Sequence, residues 1–221
     1  MSDMDAFGGS EYSYWWGPLA AMRSWQEERI RRRFGDPSTQ LFKVVDDAND
    51  AVVAWAKWEP PSRMVGLREG FVLYDDAGRP TSAGTAGKNG GGDQNGEADG
   101  KTETYAPGPP EGSNIPLHQV FFDGIIGMEK KHQASEKLVL THICTRHSYH
   151  GRGIASSLIS SVLNVADKEG IPTYLEATRA GLSLYKSLGF KTIDTLEFDR
   201  SKAGLDTPAV LHIMVREPRA A

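Results

Sequence analysis

The sequence predicts an α/β or α+β fold built on one central sheet. Three observations lead to this class: strand and helix patterns alternate over residues 138–189, two strand patterns then follow in succession, and a helix and a hairpin precede them. At 221 residues, 39% of them hydrophobic, the chain suffices for one sizeable core. We expect a tail over residues 1–16, a single domain over 17–217 and a flexible Gly-rich insert at about 77–112.

The N-terminal half of the domain predicts a helix and a β-hairpin. Residues 18–34 space apolar side chains at near-helical intervals, and Gly35-Asp36-Pro37 ends the pattern. Two runs rich in valine and aromatic residues flank the turn-forming residues 46–50, which predicts the hairpin. Residues 68–76 are typical either of a short strand or of a loop with apolar anchors.

The C-terminal half predicts alternating elements. Asn114 caps a helix that starts at residue 115, and a strand follows over 137–145. A second long helix over 153–169 ends at Gly170, a position typical of a helix-terminating glycine. A strand over 173–177, a short helix over 180–189 and two strands over 190–198 and 209–217 complete the pattern.

Charge and cysteine content bear on the possible partners and compartment. The formal net charge of −4 gives no general reason to expect nucleic acid or an anionic membrane as the partner. The single cysteine, Cys144, leaves no intrachain disulfide, which is typical of a reducing compartment. No apolar run approaches the roughly 20 residues that a membrane helix needs. We therefore predict a soluble cytoplasmic protein with no membrane or nucleic-acid partner.

The sequence YHGRGIASSL at residues 149–158 is the strongest functional signal. A strand that leads through a Gly-x-Gly turn into a helix directs several unpaired N–H groups to one place, where they attract an anion. Gly151 and Gly153 leave room for a ligand, and Arg152 adds a guanidinium group. A tight bend between core elements is the alternative interpretation. The spacing does not fit a Rossmann fingerprint, and the chain has no Gly-Lys-Ser/Thr triplet of a P-loop.

This stretch resembles motif A of the GNAT superfamily of acyl-CoA-dependent N-acetyltransferases. That motif reads Gln/Arg-x-x-Gly-x-Gly/Ala, and residues 150–155 here read His-Gly-Arg-Gly-Ile-Ala, so His150 replaces the leading residue. Downstream, LYKSLGF at residues 184–190 resembles the family's Tyr-x-x-x-Gly-Phe motif at the usual separation. The segment AVVAWAKW at residues 51–58 resembles its second hairpin.

The resemblance implies a mixed, mostly antiparallel sheet flanked by helices, with a splayed pair of parallel strands at the site for acetyl-CoA. The pyrophosphate would lie on the turn at 151–155, and the pantetheine arm would pair with the backbone of Ile143 and Thr145. The Ile143 N–H would lie nearest the thioester carbonyl. The implied coenzyme-binding residues are Ile143, Cys144, Thr145, His150, Gly151, Arg152, Gly153, Ile154, Ala155, Ser156 and Tyr185.

The chemistry requires a base for the acceptor amine and an acid for the CoA thiolate. By resemblance Tyr185 is the candidate acid, although its ring could simply pack the short helix on the sheet. Glu176 and His142 are the candidate bases. Glu176 could instead be a structural hydrogen-bond acceptor, and in a regular strand His142 would point away from the site unless a bulge redirects it. Cys144 fits a buried thiol better than a nucleophile.

The expected function is transfer of acetyl from acetyl-CoA to a primary amine of a small molecule in a direct ternary complex. A protein or peptide acceptor, or a non-catalytic acyl-CoA-binding protein, are the alternatives. No metal is assigned, because the histidines lack a coordination spacing. Trp55 or Trp58 could form a wall of the acceptor pocket. Family members usually start with a strand and a helix before this region, so we expect that first strand and part of that helix to be absent.

Overall fold

The computed structural model describes residues 11–34, 38–67 and 108–219, with only the backbone described for residues 30–34. The helices within these ranges are α1 (Leu19–Phe34), α2 (Ile115–Lys131), α3 (Ile154–Lys168) and α4 (Leu182–Ser187). The strands are β1 (Gln40–Asp46), β2 (Ala51–Glu59), β3 (Leu138–Thr145), β4 (Thr173–Ala177), β5 (Lys191–Phe198) and β6 (Ala209–Arg216).

The six strands form one sheet in the order β1-β2-β3-β4-β6-β5. Strands β3 and β4 are parallel, because α3 connects them in a crossover, and the other four neighbouring pairs are antiparallel. This arrangement confirms the mixed, mostly antiparallel sheet flanked by helices that the sequence and its resemblance predict. Among the described residues, β1 forms the edge of the sheet and pairs only with β2.

Local sequence signals set the ends of the main helices as predicted. The Asn114 side chain accepts a hydrogen bond from the Leu117 N–H at 3.2 Å and caps α2. Gly170, with φ +65°, follows the end of α3. The predictions for residues 68–76 and for most of the Gly-rich insert, residues 77–107, lie outside the described residues. The proposed division of the chain into tail, domain and insert therefore stays a prediction.

The two faces of the sheet carry different helices. On one face, α3 and α4 cover the main core, in which Trp58, Ile159 and Met214 have no exposed surface. The other face packs against α2 and the N-terminal segment. Gly124 of α2 lies close to β5, since a Cβ there would come within 3.1 Å of the Phe198 ring. No helix in the described ranges has both the length and the apolar character needed to span a membrane.

The segment ahead of α1 is fixed to the body of the molecule. The Tyr12 hydroxyl donates a hydrogen bond to the Val210 carbonyl of β6, and Arg200 donates one to the Glu11 carbonyl at 3.1 Å. The Asn114 N–H donates to the Trp15 carbonyl at 3.0 Å. Residues 11–17 therefore connect β6 to the start of α2. This connection places aromatic side chains beside the end of the parallel strand pair.

Candidate active site

Strands β3 and β4 separate at their C-terminal ends. Their ladder ends at the pair Leu140–Leu175, although β3 continues to Thr145 and β4 to Ala177. From this point the backbone of β3 pairs with β2 on one side and has no β4 partner on the other. The splayed pair can therefore accept an extended ligand that hydrogen-bonds to a strand edge.

A β-bulge lies where the strands separate. Lys57 pairs with His142 and Trp58 pairs with Leu140, which leaves Thr141 as an extra residue in β3. The bulge shifts the alternation of side chains, so Ile143 packs against the α3-side core and His142 faces the other side. In a regular strand His142 would point away from the site, and this bulge is the exception that redirects it toward the cleft.

The tryptophans of the hairpin do not line the site. Trp58 is fully buried in the α3-side core. Trp55 lies on the opposite face and stacks on the His142 ring, with the ring centroids 6.1 Å apart and the planes at 16°. Trp15 and Trp16 from the N-terminal segment line the site instead. The interpretation that a hairpin tryptophan forms a wall of the acceptor pocket is therefore corrected.

The glycine turn leaves the start of α3 open. Gly151 and Gly153 have φ values of +74° and +75°, a region that glycine adopts without steric cost, and among the described residues no atom beyond their chain neighbours lies within 4 Å of a Cβ placed on either. Gly153 has no side chain to cap α3, and the first helical bond runs from the Ser157 N–H to the Gly153 carbonyl. The N–H groups of residues 154–156 therefore have no acceptor within the helix. This arrangement fits a phosphate group.

Side chains brace the turn from both sides. The Tyr149 hydroxyl donates to the Asp46 carboxylate at the β1–β2 hairpin, and this hydrogen bond is the main reason that the pKa of Asp46 is lowered. The Arg152 guanidinium carbon lies 4.6 Å from the centroid of the Tyr149 ring. His150 Nε2 lies 2.9 Å from the Thr145 carbonyl oxygen, so the residue that departs from motif A connects the turn to the end of β3.

The end of β3 also fits a coenzyme arm. The Thr145 hydroxyl is buried and has no hydrogen-bond partner within the part of the chain that the structure describes. A buried hydroxyl without a partner carries a cost that a polar ligand can remove. Cys144, the neighbouring residue, is buried at 6% exposure. The residues present at the splayed strands and the turn thus fit the pantetheine and pyrophosphate of coenzyme A.

A cleft of about 340 Å³ opens beside the splayed strands on the α2 side of the sheet. Its floor includes the end of β3, with Thr141, His142 and Ile143, and Glu176 of β4. Its walls come from the N-terminal segment, α1 and α2. The aromatic side chains that line it are Tyr12, Trp15, Trp16, Phe121, Phe122 and Tyr185, and the carboxylates that line it are Glu59, Glu129 and Glu176.

Glu176 is a half-buried carboxyl group at the floor of the cleft. The Tyr174 hydroxyl donates to its Oε1 at 3.0 Å. Burial, reinforced by repulsion from Glu129 and Glu59, raises the pKa of Glu176 to about 8. A carboxyl group with this pKa can exchange a proton near neutral pH, as a general base must.

Tyr185 reaches the same cleft from α4. Its ring packs on Phe190, with the centroids 5.9 Å apart, and against Gly181, where a Cβ would come within 2.6 Å of the ring. Burial raises the pKa of the Tyr185 hydroxyl to about 12, so the group is protonated at neutral pH. The structure therefore brings Tyr185, Glu176 and His142 together at one cleft.

Several lining residues were not found by sequence reasoning. Glu129 lies in a basic, polar helix end, where its charge gives no functional signal. The Trp15-Trp16 pair was visible, but residues 1–16 were assigned to a tail, so no position in the fold could be given to it. The hydrophobicity of this segment was the one signal that could have placed it in a pocket wall.

Comparisons with known proteins agree with this geometry. Residues 117–192 match the family model described as an acetyltransferase (GNAT) domain. A stretch of 42 residues is 50% identical to the probable acyltransferase SID5 of Ajellomyces capsulatus. This stretch is 19% of the present chain and 31% of that protein, so the chain spans about a third of the length of the curated relative that it matches.

A solved structure shows the same fold over nearly the whole chain. It is described as histone acetyltransferase HPA2 and related acetyltransferase from Corynebacterium glutamicum, and it aligns with a TM-score of 0.52 at 18% identity. The alignment covers 99% of the present chain and 88% of the other. The chain therefore shares the fold of that structure. Its residues 117–192 are similar to the GNAT acetyltransferase domain, and one stretch is similar to an acyltransferase.

Proposed function

We propose that this protein is an N-acetyltransferase that transfers acetyl from acetyl-CoA to a primary amine of a small molecule. The observation that carries the proposal is the separation of β3 and β4 beyond the pair Leu140–Leu175, with a cleft at these strand ends that is lined by an acid candidate and a base candidate. The proposal includes a direct transfer without an acyl-enzyme, because β3 can hold the coenzyme arm beside this cleft.

The coenzyme side of the site acts through the backbone. The N–H groups at the start of α3 bind the pyrophosphate, with Arg152 as an additional cation. The backbone of Ile143 and Thr145 binds the pantetheine arm along the open edge of β3. These contacts orient the thioester toward the cleft, where the acceptor binds.

Glu176 is the proposed base. An alkyl amine arrives mainly as an ammonium ion, with a pKa near about 10, and must lose a proton before it attacks. The approaching positive charge favours the ionised form of Glu176, which then accepts this proton. His142 lies in the same cleft and is the second candidate for this role. Only the ionised carboxyl group is a base, so kcat/KM should rise with pH toward a plateau above about 8.

Tyr185 is the proposed acid. As the C–N bond to the acceptor forms, the C–S bond breaks and CoA leaves as a thiolate. The Tyr185 hydroxyl donates its proton to the thiolate sulfur, and its raised pKa keeps that proton in place until then. The acylated nitrogen then loses its second proton through solvent, which restores the Tyr185 phenol, and Glu176 releases its own proton to solvent before the next cycle.

A small acceptor fits the cleft better than a protein segment does. The N-terminal segment is fixed by hydrogen bonds to β6 and α2, and its Trp15 and Trp16 close one side of the cleft. The volume of about 340 Å³ suits a ligand of small-molecule size. A cytoplasmic location is part of the proposal, since the buried Cys144 fits a reducing compartment.

The test measures thiol release from acetyl-CoA with a broad panel of amines and peptides, and CoA affinity by calorimetry. We expect turnover of at least one small amine, and Glu176→Gln should lower kcat by about 100-fold to 10,000-fold with CoA affinity unchanged. Glu197→Gln, at an exposed glutamate of β5, is the matched control and should keep full activity. His142→Gln separates the two base candidates, since a larger loss there than in Glu176→Gln would reassign the base.

Binding of CoA without turnover of any amine or peptide would contradict the proposal. It would favour the alternative of a non-catalytic acyl-CoA-binding protein. Turnover restricted to peptides would instead favour a protein or peptide acceptor.

A further inference from the structure

We propose that Tyr174 is a positioning residue for the base: its hydroxyl holds one carboxyl oxygen of Glu176, so that the other oxygen accepts the proton of the acceptor amine. The inference rests on the proposed function, in which Glu176 is the base. Tyr174 has no exposed surface, so it acts on the reaction only through Glu176.

The sheet and its core fix the Tyr174 side chain. Tyr174 lies two residues before Glu176 in β4, and alternate residues of a strand share one face, here the α2 side. Its backbone pairs with Val139 of β3 and with Val215 of β6, and its ring packs in a buried cluster that Met128 of α2 covers. A ring enclosed in this way keeps its hydroxyl in one place.

The hydrogen bond divides the two carboxyl oxygens between two tasks. The Tyr174 hydroxyl donates to Oε1 of Glu176 at 3.0 Å, and no group of the described residues donates to Oε2. Burial, together with the charge of Glu176, raises the pKa of the Tyr174 hydroxyl, which therefore stays protonated and remains a donor. In the proton transfer an N–H bond of the ammonium group breaks and leaves its electron pair on nitrogen, while an O–H bond forms at Oε2.

The same hydrogen bond sets how readily Glu176 ionises. Burial is the main reason that the pKa of Glu176 is raised, and the charges of Glu129 and Glu59 add to it. The hydrogen bond from Tyr174 acts in the opposite direction, because an ionised oxygen accepts a stronger hydrogen bond than a neutral one. Without the hydroxyl, the pKa of Glu176 would rise further above about 8, and less of the base would be ionised near neutral pH.

Other charged groups surround this pair. Glu59 is paired with Lys57, and Asp194 of β5, whose charge acts on the Tyr174 hydroxyl, is paired with Lys131. The other titratable or charged side chains that line the cleft or contact Asp194 are Tyr12, Arg29, His132, His142 and Tyr185. Of the described residues, only Tyr174 donates a hydrogen bond to the carboxyl group of the base, which makes it the residue to change.

The first test follows the ionisation of Glu176 without any ligand. Carbon-13 NMR of the side-chain carboxyl groups gives a titration midpoint for Glu176, assigned by the signal that Glu176→Gln removes. Tyr174→Phe keeps the buried ring and removes the hydroxyl, so this midpoint should rise by about one pH unit. Tyr14→Phe is the matched control, because the Tyr14 hydroxyl is also buried but has no hydrogen-bond partner in the described part of the chain. It should leave the midpoint unchanged.

The second test measures kcat/KM as a function of pH, with acetyl-CoA and the amine of the panel that is turned over fastest. In Tyr174→Phe the rise of kcat/KM should move to higher pH by the same amount, which lowers kcat/KM about tenfold at neutral pH and much less near about pH 10. In the Glu176→Gln background the same change should cost less than about twofold, since the hydroxyl acts through the carboxylate. Tyr14→Phe should keep the natural profile. Unchanged CoA affinity, measured by calorimetry, shows that each variant is folded.

A third variant keeps the hydroxyl and strengthens it as a donor. 3-Fluorotyrosine incorporated in place of Tyr174 is a more acidic phenol than tyrosine, so its hydrogen bond favours the ionised form of Glu176 more strongly. The midpoint should therefore fall below that of the natural protein. This opposite sign keeps the test decisive if loss of the hydroxyl in Tyr174→Phe weakens the fold.

The outcomes separate this inference from the proposed function. Turnover with the same midpoint in Tyr174→Phe and the natural protein, or a loss of kcat/KM that is equal at every pH, would overturn the inference and leave the N-acetyltransferase proposal intact. A shift in the NMR midpoint without a shift in the kcat/KM profile would also overturn it, and would favour His142 as the base. Absence of turnover with every amine in the natural protein would overturn the proposed function, and the role of Tyr174 in proton transfer with it.

Discussion

The coenzyme half and the acceptor half of the active site are built in different ways. The coenzyme half consists of β3, the glycine turn, α3 and β4, which are contiguous over residues 138–177, and its proposed ligand contacts are mainly main-chain groups. The acceptor half consists of side chains from three regions that are far apart in sequence, namely residues 11–17 with α1, then α2, and then β4. Main-chain recognition needs only a local conformation, whereas side-chain recognition needs the whole tertiary structure.

The family match covers the whole of the coenzyme half but only part of the acceptor half. The matched residues, 117–192, include the entire coenzyme half, while Tyr12, Trp15, Trp16 and Arg29 of the acceptor half lie outside them. A coenzyme that is the same in many enzymes can be bound by backbone geometry alone. An acceptor that differs between enzymes must be recognised by side chains that can change independently of that geometry.

Disruption of the glycine turn should have the largest effect. This effect should be confined to the coenzyme half of the site. Gly153→Asp adds a carboxylate where the N–H groups at the start of α3 would bind the pyrophosphate. Repulsion between the carboxylate and the phosphate should lower CoA affinity by about 100-fold or more, as measured by calorimetry. Unchanged affinity would contradict the placement of the pyrophosphate.

Gly204→Asp is the matched control for this variant. Gly204 has φ +74°, against +75° for Gly153, and in the described part of the chain only their own neighbours lie within 4 Å of a Cβ at either position. The two substitutions therefore share the cost of a left-handed residue, about 1 kcal/mol, but Gly204 lies in the loop before β6. If both variants lost CoA affinity equally, the loss would reflect backbone strain and not the anion site.

The coenzyme half was predictable because its signals are local. Gly151 and Gly153 indicate a left-handed turn, the apolar stripe after them indicates a helix, and Gly170 marks its end, so the strand, turn and helix follow from nearby residues. The acceptor half was not predictable to the same degree. Glu129 of α2 affects the site through its charge, which raises the pKa of Glu176 on β4. No local sequence pattern indicates that these two residues are close.

The position of His142 shows the physical limit most clearly. The strand that contains His142 was predicted. The face of the sheet on which its side chain lies depends on a single extra residue, Thr141, in the ladder with β2. A bulge of this kind is set by pairing between strands and leaves no periodicity signal in one strand. The raised pKa of Glu176 is likewise a property of burial and of neighbours from α2 and β2.

Removing the titratable group of Glu176 should have the next largest effect, and it tests the acceptor half without any ligand. Because the pKa is raised from 4.5 to about 8, the folded chain holds this proton more tightly than the unfolded chain does. The free energy of unfolding should therefore fall as the pH rises from about 4.5 to about 8. The Glu176→Gln variant cannot ionise at this position, so its free energy of unfolding should not show this fall. Above about pH 8 the variant should therefore be more stable than the natural protein by about 2 kcal/mol, after allowance for the half-buried position.

Denaturant unfolding at about pH 5 and about pH 9 measures this difference. Glu197→Gln is again the control, because an exposed carboxyl group should give the same difference between the two pH values as the natural protein. If the stability advantage of Glu176→Gln did not grow with pH, the raised pKa and the assignment of Glu176 as the base would both be in doubt.

The smallest expected effect concerns the brace of the turn, and it would show whether the coenzyme half depends on side chains at all. Tyr149→Phe removes the hydroxyl that donates to Asp46 but keeps the ring on which Arg152 lies. The N–H groups of the turn stay in place while the brace loosens, so KM for acetyl-CoA should rise only about threefold to fivefold, with kcat unchanged.

Asp46→Asn should raise KM for acetyl-CoA by the same factor as Tyr149→Phe or by a smaller one. The double variant should show little further increase in KM, because both substitutions remove the same hydrogen bond. Asp47→Asn, at the exposed neighbour in the same hairpin turn, should have no effect. A loss of kcat in Tyr149→Phe would instead mean that the brace controls the position of the thioester. In that case the two halves of the site would be mechanically coupled, and the division between backbone and side-chain recognition would not hold.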